Sequence, residues 1–336
     1  MKSFERIQPK TWSDAALALE TARKAHVAAE AKGAGTDLLD RLKERTAAPD
    51  RIVDLRRLDG HRTIRPQGGA ISIGALVTLR EVAEGLRGDL PALAEACEGA
   101  ATPQIRNAAT IGGNLCQRPR CWYFRSADFT CLKKGGSECF AQKGENVFHA
   151  VFGNGTCAIV HPSAAAVALL AYGATVETIS PSGPRSIPIE SFFVRPETDI
   201  TAENVLKPAE LIVEVVVPRR AGLRSAYRKL KQKQAFDWPL ADVAVAYRDD
   251  AGTARDVRIV LGSAAPVPFR SGKAETLVEG KRIDGALAAA AGRAAVQGAT
   301  PLPQNGYKVP LVAAMVRRTL LAAAGLPDGT EKAPEA

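Results

Sequence analysis

Residues 32–39 read Lys-Gly-Ala-Gly-Thr-Asp-Leu-Leu, and they join two segments of opposite character. Residues 26–31 read as a short strand, and residues 37–43 read as a helix that opens on Asp37 and closes on Lys43. Upstream, Asp14 caps a second helix whose apolar positions are Ala15, Leu17, Leu19 and Ala22. Downstream, residues 51–55 form another strand. This alternation predicts a small α/β lobe. A turn of small residues ahead of a helix exposes backbone N–H groups and suits an anion, and glycine lets a ligand approach the main chain closely.

A second small-residue turn follows at Thr110-Ile111-Gly112-Gly113-Asn114. Neither turn matches G-x-G-x-x-G or G-x-x-x-x-G-K-[ST], so neither a Rossmann nor a P-loop site follows, and each read alone is equally a plain loop. Between the two turns, residues 63–79 alternate as strands and residues 79–98 read as helices broken at Gly88 and Pro91. Residues 164–172 are helical in pattern, and residues 175–179 and 212–217 are strands. A boundary falls at Pro218-Arg219-Arg220-Ala221-Gly222. Beyond it, residues 226–229, 243–247 and 257–262 read as antiparallel strands, with helices at 280–298 and 309–324. The tail 326–336 is expected to be disordered.

The chain has 336 residues and a formal charge of +9, with 46% hydrophobic and 24% charged residues. That is a folded protein of two or more lobes rather than a disordered or fibrous one. Basic and acidic residues alternate without a long like-charge block, which speaks against nucleic acid and for an anionic cofactor or an acidic partner. No leader and no membrane-length apolar run is read in the sequence.

Six cysteines are present, and Cys116, Cys121, Cys131, Cys139 and Cys157 fall within 42 residues. The last four have 9, 7 and 17 residues between them, which is neither the zinc-ribbon nor the ferredoxin spacing. Four thiolates would suit Zn²⁺ or a [4Fe–4S] cluster equally, and reduced core cysteines are the plainer alternative. Cys97, alone on a helix, fits that alternative. Residues 117–150 show little apolar periodicity, so a bound centre would give this long segment its reason to fold. Lys133, Lys134 and Arg125 would favour thiolates there. His149 and His161 flank the segment and read as structural histidines. No triad or paired-carboxylate site is apparent.

Several segments in order resemble the FAD subunits of the molybdenum hydroxylases, the xanthine dehydrogenase and aldehyde oxidoreductase family. Lys32–Leu39 is similar to their A-G-G-T-D-L-L, and Ile73-Gly74-Ala75 with Thr78 to their I-G-A-x-x-T. Residues 104–114, Gln-Ile-Arg-Asn-Ala-Ala-Thr-Ile-Gly-Gly-Asn, are close to their most specific motif. Tyr227 with Phe236-Asp237-Trp238-Pro239, and residues 259–268, resemble later segments. The resemblance implies an α+β chain. A two-lobed FAD-binding domain of the vanillyl-alcohol oxidase/PCMH type would occupy residues 1–60 and 61–218. A C-terminal α+β domain, an antiparallel sheet with helices, would occupy 223–325. It implies FAD contacts from Lys32, Gly33, Ala34, Gly35, Thr36, Asp37, Leu38 and Leu39, and from Thr102, Thr110, Gly113 and Asn114. Ile212, Lys229, Asp237 and Trp238 would lie nearer the flavin ring.

Two departures stand out. Ala34 replaces a family glycine, which is tolerable if its φ stays negative. Ala164 stands where the family has an aspartate on the ribose, so ribose contacts would be weaker or rearranged.

The insertion at about 116–157, with its Arg-Cys-Trp-Tyr-Phe and Cys-Leu-Lys-Lys-Gly-Gly runs, resembles one branch of the family more narrowly. That branch is the FAD subunit of bacterial periplasmic aldehyde oxidoreductases, with the 4-hydroxybenzoyl-CoA reductase subunit as the alternative. Both carry a [4Fe–4S] cluster there, which implies Cys121, Cys131, Cys139 and Cys157 as ligands and Cys116 in reserve. The implied role is electron transfer in a heterotrimer. A large molybdenum-cofactor subunit would oxidise an aldehyde, a small [2Fe–2S] subunit would relay electrons, and FAD would pass them to an external acceptor. A zinc-stabilised module without flavin is the reading from another class. The compartment would be the periplasm, by co-export with a twin-arginine-bearing partner, or the cytoplasm.

Overall fold

The structure is a computed structural model that describes residues 2–233 and 236–328. Of the tail expected to be disordered, residues 329–336 lie outside the described residues. Contacts divide the chain into two compact units. The first comprises residues 1–82, 102–140 and 173–218, and the second comprises 83–101, 141–172 and 219–336.

The first unit opens with strands β1 (Glu5–Ile7), β2 (Ala29–Lys32) and β3 (Arg51–Asp54). They form a parallel sheet in the order β1-β3-β2. Parallel strands need crossovers: the helix Trp12–Lys24 carries the chain from β1 to β2, and the helix Leu38–Lys43 carries it from β2 to its neighbour β3. Thr11 and Asp14 close a capping box at its start, and Trp12, Ala15, Ala16 and Ala22 are buried. The helix Leu38–Lys43 follows β2 directly, with Leu38 and Leu42 packed on Ile52 of β3.

A second sheet in this unit is wholly antiparallel. It contains β4 (Ile64–Gln67), β5 (Ala70–Gly74), β6 (Thr175–Ser180), β7 (Gly183–Pro188) and β8 (Leu211–Pro218). Their order is β4-β5-β8-β6-β7. The chain leaves after β5 and returns at β6, and the cysteine segment belongs to that excursion.

The second unit is built on β9 (Leu223–Lys231), β10 (Pro239–Asp250), β11 (Thr253–Gly262) and β12 (Phe269–Arg270), antiparallel in the order β12-β11-β10-β9. The helices Gly272–Val278, Gly285–Ala295 and Lys308–Ala323 cover it. The expected helix at 280–298 is shorter, because Asp284 caps it. The helix Gly272–Val278 was not expected from the sequence. The helix Ala164–Tyr172 packs on β10 and β11 with all nine of its residues buried, so it has no polar face to give it a periodic signature. Among the described residues no helix is long and apolar enough to cross a membrane.

Candidate functional site

The two small-residue turns meet in the first unit. β2 ends at Lys32, and the chain turns through Gly33 to Asp37 before the helix Leu38–Lys43. Residues 110–114, expected as a loop, are instead the start of a short helix, Ile111–Leu115, which Thr110 caps by accepting the Gly113 N–H at 3.2 Å. The same Thr110 Oγ1 would lie 2.9 Å from a Cβ added to Gly33, so the two turns touch through this hydroxyl and leave no room for a side chain. Gly112 is pressed equally closely on Ala75. Gly35 has φ +87° and packs on the Lys32 stem, a conformation that strongly favours glycine. Ala34 is not among the positive-φ residues, which is why its methyl group is tolerated.

The charged side chains of the first turn point away from a simple anion-binding role. Lys32 is buried and its Nζ lies 3.2 Å from Asp54. Burial depresses the ammonium pKa against the pull of that carboxylate. Asp37 makes no cap bond to its own helix. Its carboxylate takes Arg120 at 2.8 Å, Arg125 at 2.7 Å, Arg41 at 3.3 Å and the Arg118 N–H at 3.2 Å. Burial alone would raise its pKa, but the guanidiniums of Arg120 and Arg125 outweigh it and hold the carboxyl below the usual range. What the turn can offer a phosphate is therefore backbone N–H.

The remaining expected FAD contacts are dispersed. Thr102 caps the short helix Pro103–Arg106 through the Ile105 N–H. Gln117 donates to the Asn114 carbonyl at 2.9 Å. Ile212 is buried in β8. Lys229, Asp237 and Trp238 belong to the second unit. There Lys229 donates to the Gly99 carbonyl, Asp237 accepts the N–H groups of Lys233 and Trp238, and the Trp238 side chain is half exposed.

In the cysteine segment, Cys121, Cys131 and Cys139 are close enough for the last two to act electrostatically on the first. Burial dominates and pushes the Cys121 thiol up to about 11, while the N–H groups of Phe124 and Tyr123 pull the other way. Cys116 is pushed to about 12 by burial and feels Asp37 and Glu203 rather than the other thiols. Cys157 is buried in the second unit. None of the six cysteines is in a disulfide, and Cys97 is a buried core residue. The cations expected to support thiolates are committed elsewhere. Lys133 bonds Glu203 and the carbonyls of Ile200 and Ala202, Lys134 bonds the Ser126 carbonyl, and Arg125 bonds Asp37 and Asp40. The missing apolar periodicity has a physical counterpart, because Tyr123, Phe129 and Phe140 form a local aromatic cluster, with Tyr123 stacked on Phe140 and Phe129 edge-on to both. Among the described residues no three His, Cys, Asp or Glu side chains converge tightly enough to hold a single metal ion.

Residues 2–220 match the family described as the FAD binding domain in molybdopterin dehydrogenase. The chain belongs to that family. In this FAD-binding family member, residues 225–323 also match the CO dehydrogenase flavoprotein C-terminal domain. Among curated relatives, the aldehyde oxidoreductase FAD-binding subunit of Escherichia coli K12 is 36% identical over 275 residues, covering 80% of this chain and 84% of that one. The carbon monoxide dehydrogenase medium chain of Hydrogenophaga pseudoflava is 29% identical over 329 residues, covering 95% and 96%. A solved structure of carbon monoxide dehydrogenase from that organism superposes with a TM-score of 0.74 over 96% of this chain and 97% of that one, at 29% identity. The α+β flavoprotein fold and an oxidoreductase role are thus established, with FAD as the cofactor of the family. The glycine-lined cradle where the two turns meet on the Thr110 hydroxyl fits such a dinucleotide.

Proposed function

We propose that this chain is the FAD- and [4Fe–4S]-binding electron-transfer subunit of a heterotrimeric molybdenum-dependent aldehyde oxidoreductase. The observation that carries the reading is the cradle in the first unit, where Gly33 meets the Thr110 hydroxyl that caps the second turn so closely that no side chain fits at position 33. The aldehyde as substrate rests on the 36% identical relative. A large molybdenum-cofactor subunit and a small [2Fe–2S] subunit would complete the assembly.

FAD supplies a carrier that takes electrons singly and releases them in pairs, and an iron–sulfur cluster supplies a one-electron carrier. The protein's own part is binding and orientation. The backbone of residues 33–36 and the first turn of Ile111–Leu115 would hold the pyrophosphate, since N–H groups favour negative charge. Lys32 secures β2 to Asp54 of β3 beneath the turn. Cys121, Cys131 and Cys139 are assigned to the cluster because their thiols share one neighbourhood. Cys157 is the fourth ligand that the family resemblance implies. A cubane gives each iron one thiolate, so its ligands stand further apart than those of a single tetrahedral ion. Burial keeps the Cys121 thiol protonated, so holding a cluster there would require that proton to leave.

The purified chain, expressed with its partner subunits, should show flavin absorption bands and about four irons with matching sulfide per chain. An aldehyde should reduce both centres. A colourless chain overturns the flavin assignment, and one zinc in place of iron overturns the cluster.

A further inference from the structure

An acidic side chain is an odd member of a pyrophosphate turn, because a carboxylate facing phosphate repels it. Asp37 ends such a turn, and its surroundings give it a different task. All four of its contacts come from arginines. Arg41 lies one helical turn on, and Arg118, Arg120 and Arg125 all flank Cys121. Arg125 is the centre of this lattice. Only 8% of its side chain is exposed, its Nε donates to the Pro119 carbonyl at 2.7 Å, and its two terminal nitrogens reach Asp37, Asp40 and the Arg118 carbonyl. Its N–H closes the short helix back onto the Cys121 carbonyl. On the other side Arg120 bonds Gln117, which bonds the Asn114 carbonyl in the second turn. Both turns of the FAD cradle are therefore tied to one short stretch, residues 117–125.

We infer that Asp37 is a positioning residue that braces the FAD turn from behind on Arg120 and Arg125, so that FAD binding and the folding of the cysteine segment strengthen one another. The metal-dependent half of this statement rests on the cluster reading above, whereas the bracing of the turn does not. Such coupling is reciprocal. Whatever factor an ordered cysteine segment adds to FAD affinity, bound FAD adds to retention of that segment's metal.

The test is a double-mutant cycle on the full-length chain. The variants are Asp37→Asn, Arg125→Gln and the pair together, with FAD affinity read by quenching of flavin fluorescence. Each single variant is expected to bind FAD roughly 5- to 150-fold more weakly. The double variant should be no weaker than the worse single, because either change removes the same link. Arg23→Gln, on an exposed pair with Glu20 elsewhere in the unit, serves as the control and should bind like the parent. If Arg125→Gln does not fold, Arg120→Gln, whose guanidinium is more exposed, takes its place in the cycle. Unchanged affinity in Asp37→Asn, or losses that simply add, would overturn the inference. Iron is counted on the same samples. A parent chain that binds FAD but holds no iron sinks the cluster reading and leaves the Asp37 cycle to be judged on its own affinities.

Discussion

At the scale of single residues, the cradle depends on what is absent. Gly35 combines a left-handed φ with a Cβ position only 2.7 Å from the Lys32 Cδ. Gly35→Ala should cost about 1–2 kcal/mol of stability, read from the denaturant midpoint, and should weaken FAD binding in parallel. Ala34→Gly, by contrast, should change FAD affinity little, since the methyl group already fits a negative φ. The glycines and the threonine were legible in the sequence through the resemblance of their two segments to a family's motifs, since either turn alone reads as a plain loop. The direction of Lys32 and Asp37 was not. Both belong to the recognised motif, yet Asp54 takes the first and three arginines of a distant segment take the second. Partners 22 and more than 80 positions away leave no local signature.

At the scale of elements, the periodic ones were the readable ones. The helix Trp12–Lys24 has its cap and apolar face in plain view, and so do the strands of the second unit. The fully buried helix Ala164–Tyr172 was read as helical in the sequence although it has no polar face. The segment 141–163 had no readable element, and a buried cation is one of the groups that fix it, beside backbone bonds to residues 264, 265 and 300. Lys308, wholly buried at the start of the last helix, donates to the carbonyls of Phe148, His149 and Ser263. Asn305 adds bonds to the carbonyls of His149 and Ala150. Lys308→Met keeps the stem volume and takes the ammonium from three carbonyls, of which the His149 carbonyl keeps Asn305, so unfolding free energy should fall by about 2–4 kcal/mol. Limited proteolysis should then cut first within 141–163. A variant as stable as the parent would show that water serves those carbonyls equally well.

At the scale of the whole molecule, two buried histidines set an acid limit. Burial lowers His161 to about 3, and burial with the nearby Lys308 charge lowers His149 to about 4. Both pKa values lie below the roughly 6.5 of an unfolded histidine. Between those values the unfolded chain takes up protons that the folded chain refuses, so stability rises with pH and is lost as pH falls below about 6.5. The urea midpoint should therefore drop from about pH 7 to about pH 5, and the drop should be shallower in the His149→Gln, His161→Gln double variant. Equal slopes in the two proteins would mean that other groups carry the acid sensitivity.

Much of this protein was determined by sequence alone. Local propensity, capping and motif order are short-range properties, and they specify an α/β start, a glycine cradle, an antiparallel C-terminal sheet and a family that binds FAD. The tertiary structure alone decided which groups carry charge into the site and which are held away from it. It buried Lys32 against Asp54, turned Asp37 toward the arginines of the cysteine segment, and packed residues 141–172 with the C-terminal sheet rather than with their neighbours in the chain. Such choices follow from burial and pairing between distant positions. A buried charge must find its counter-charge wherever the fold brings one within reach, and no local pattern records which one that will be.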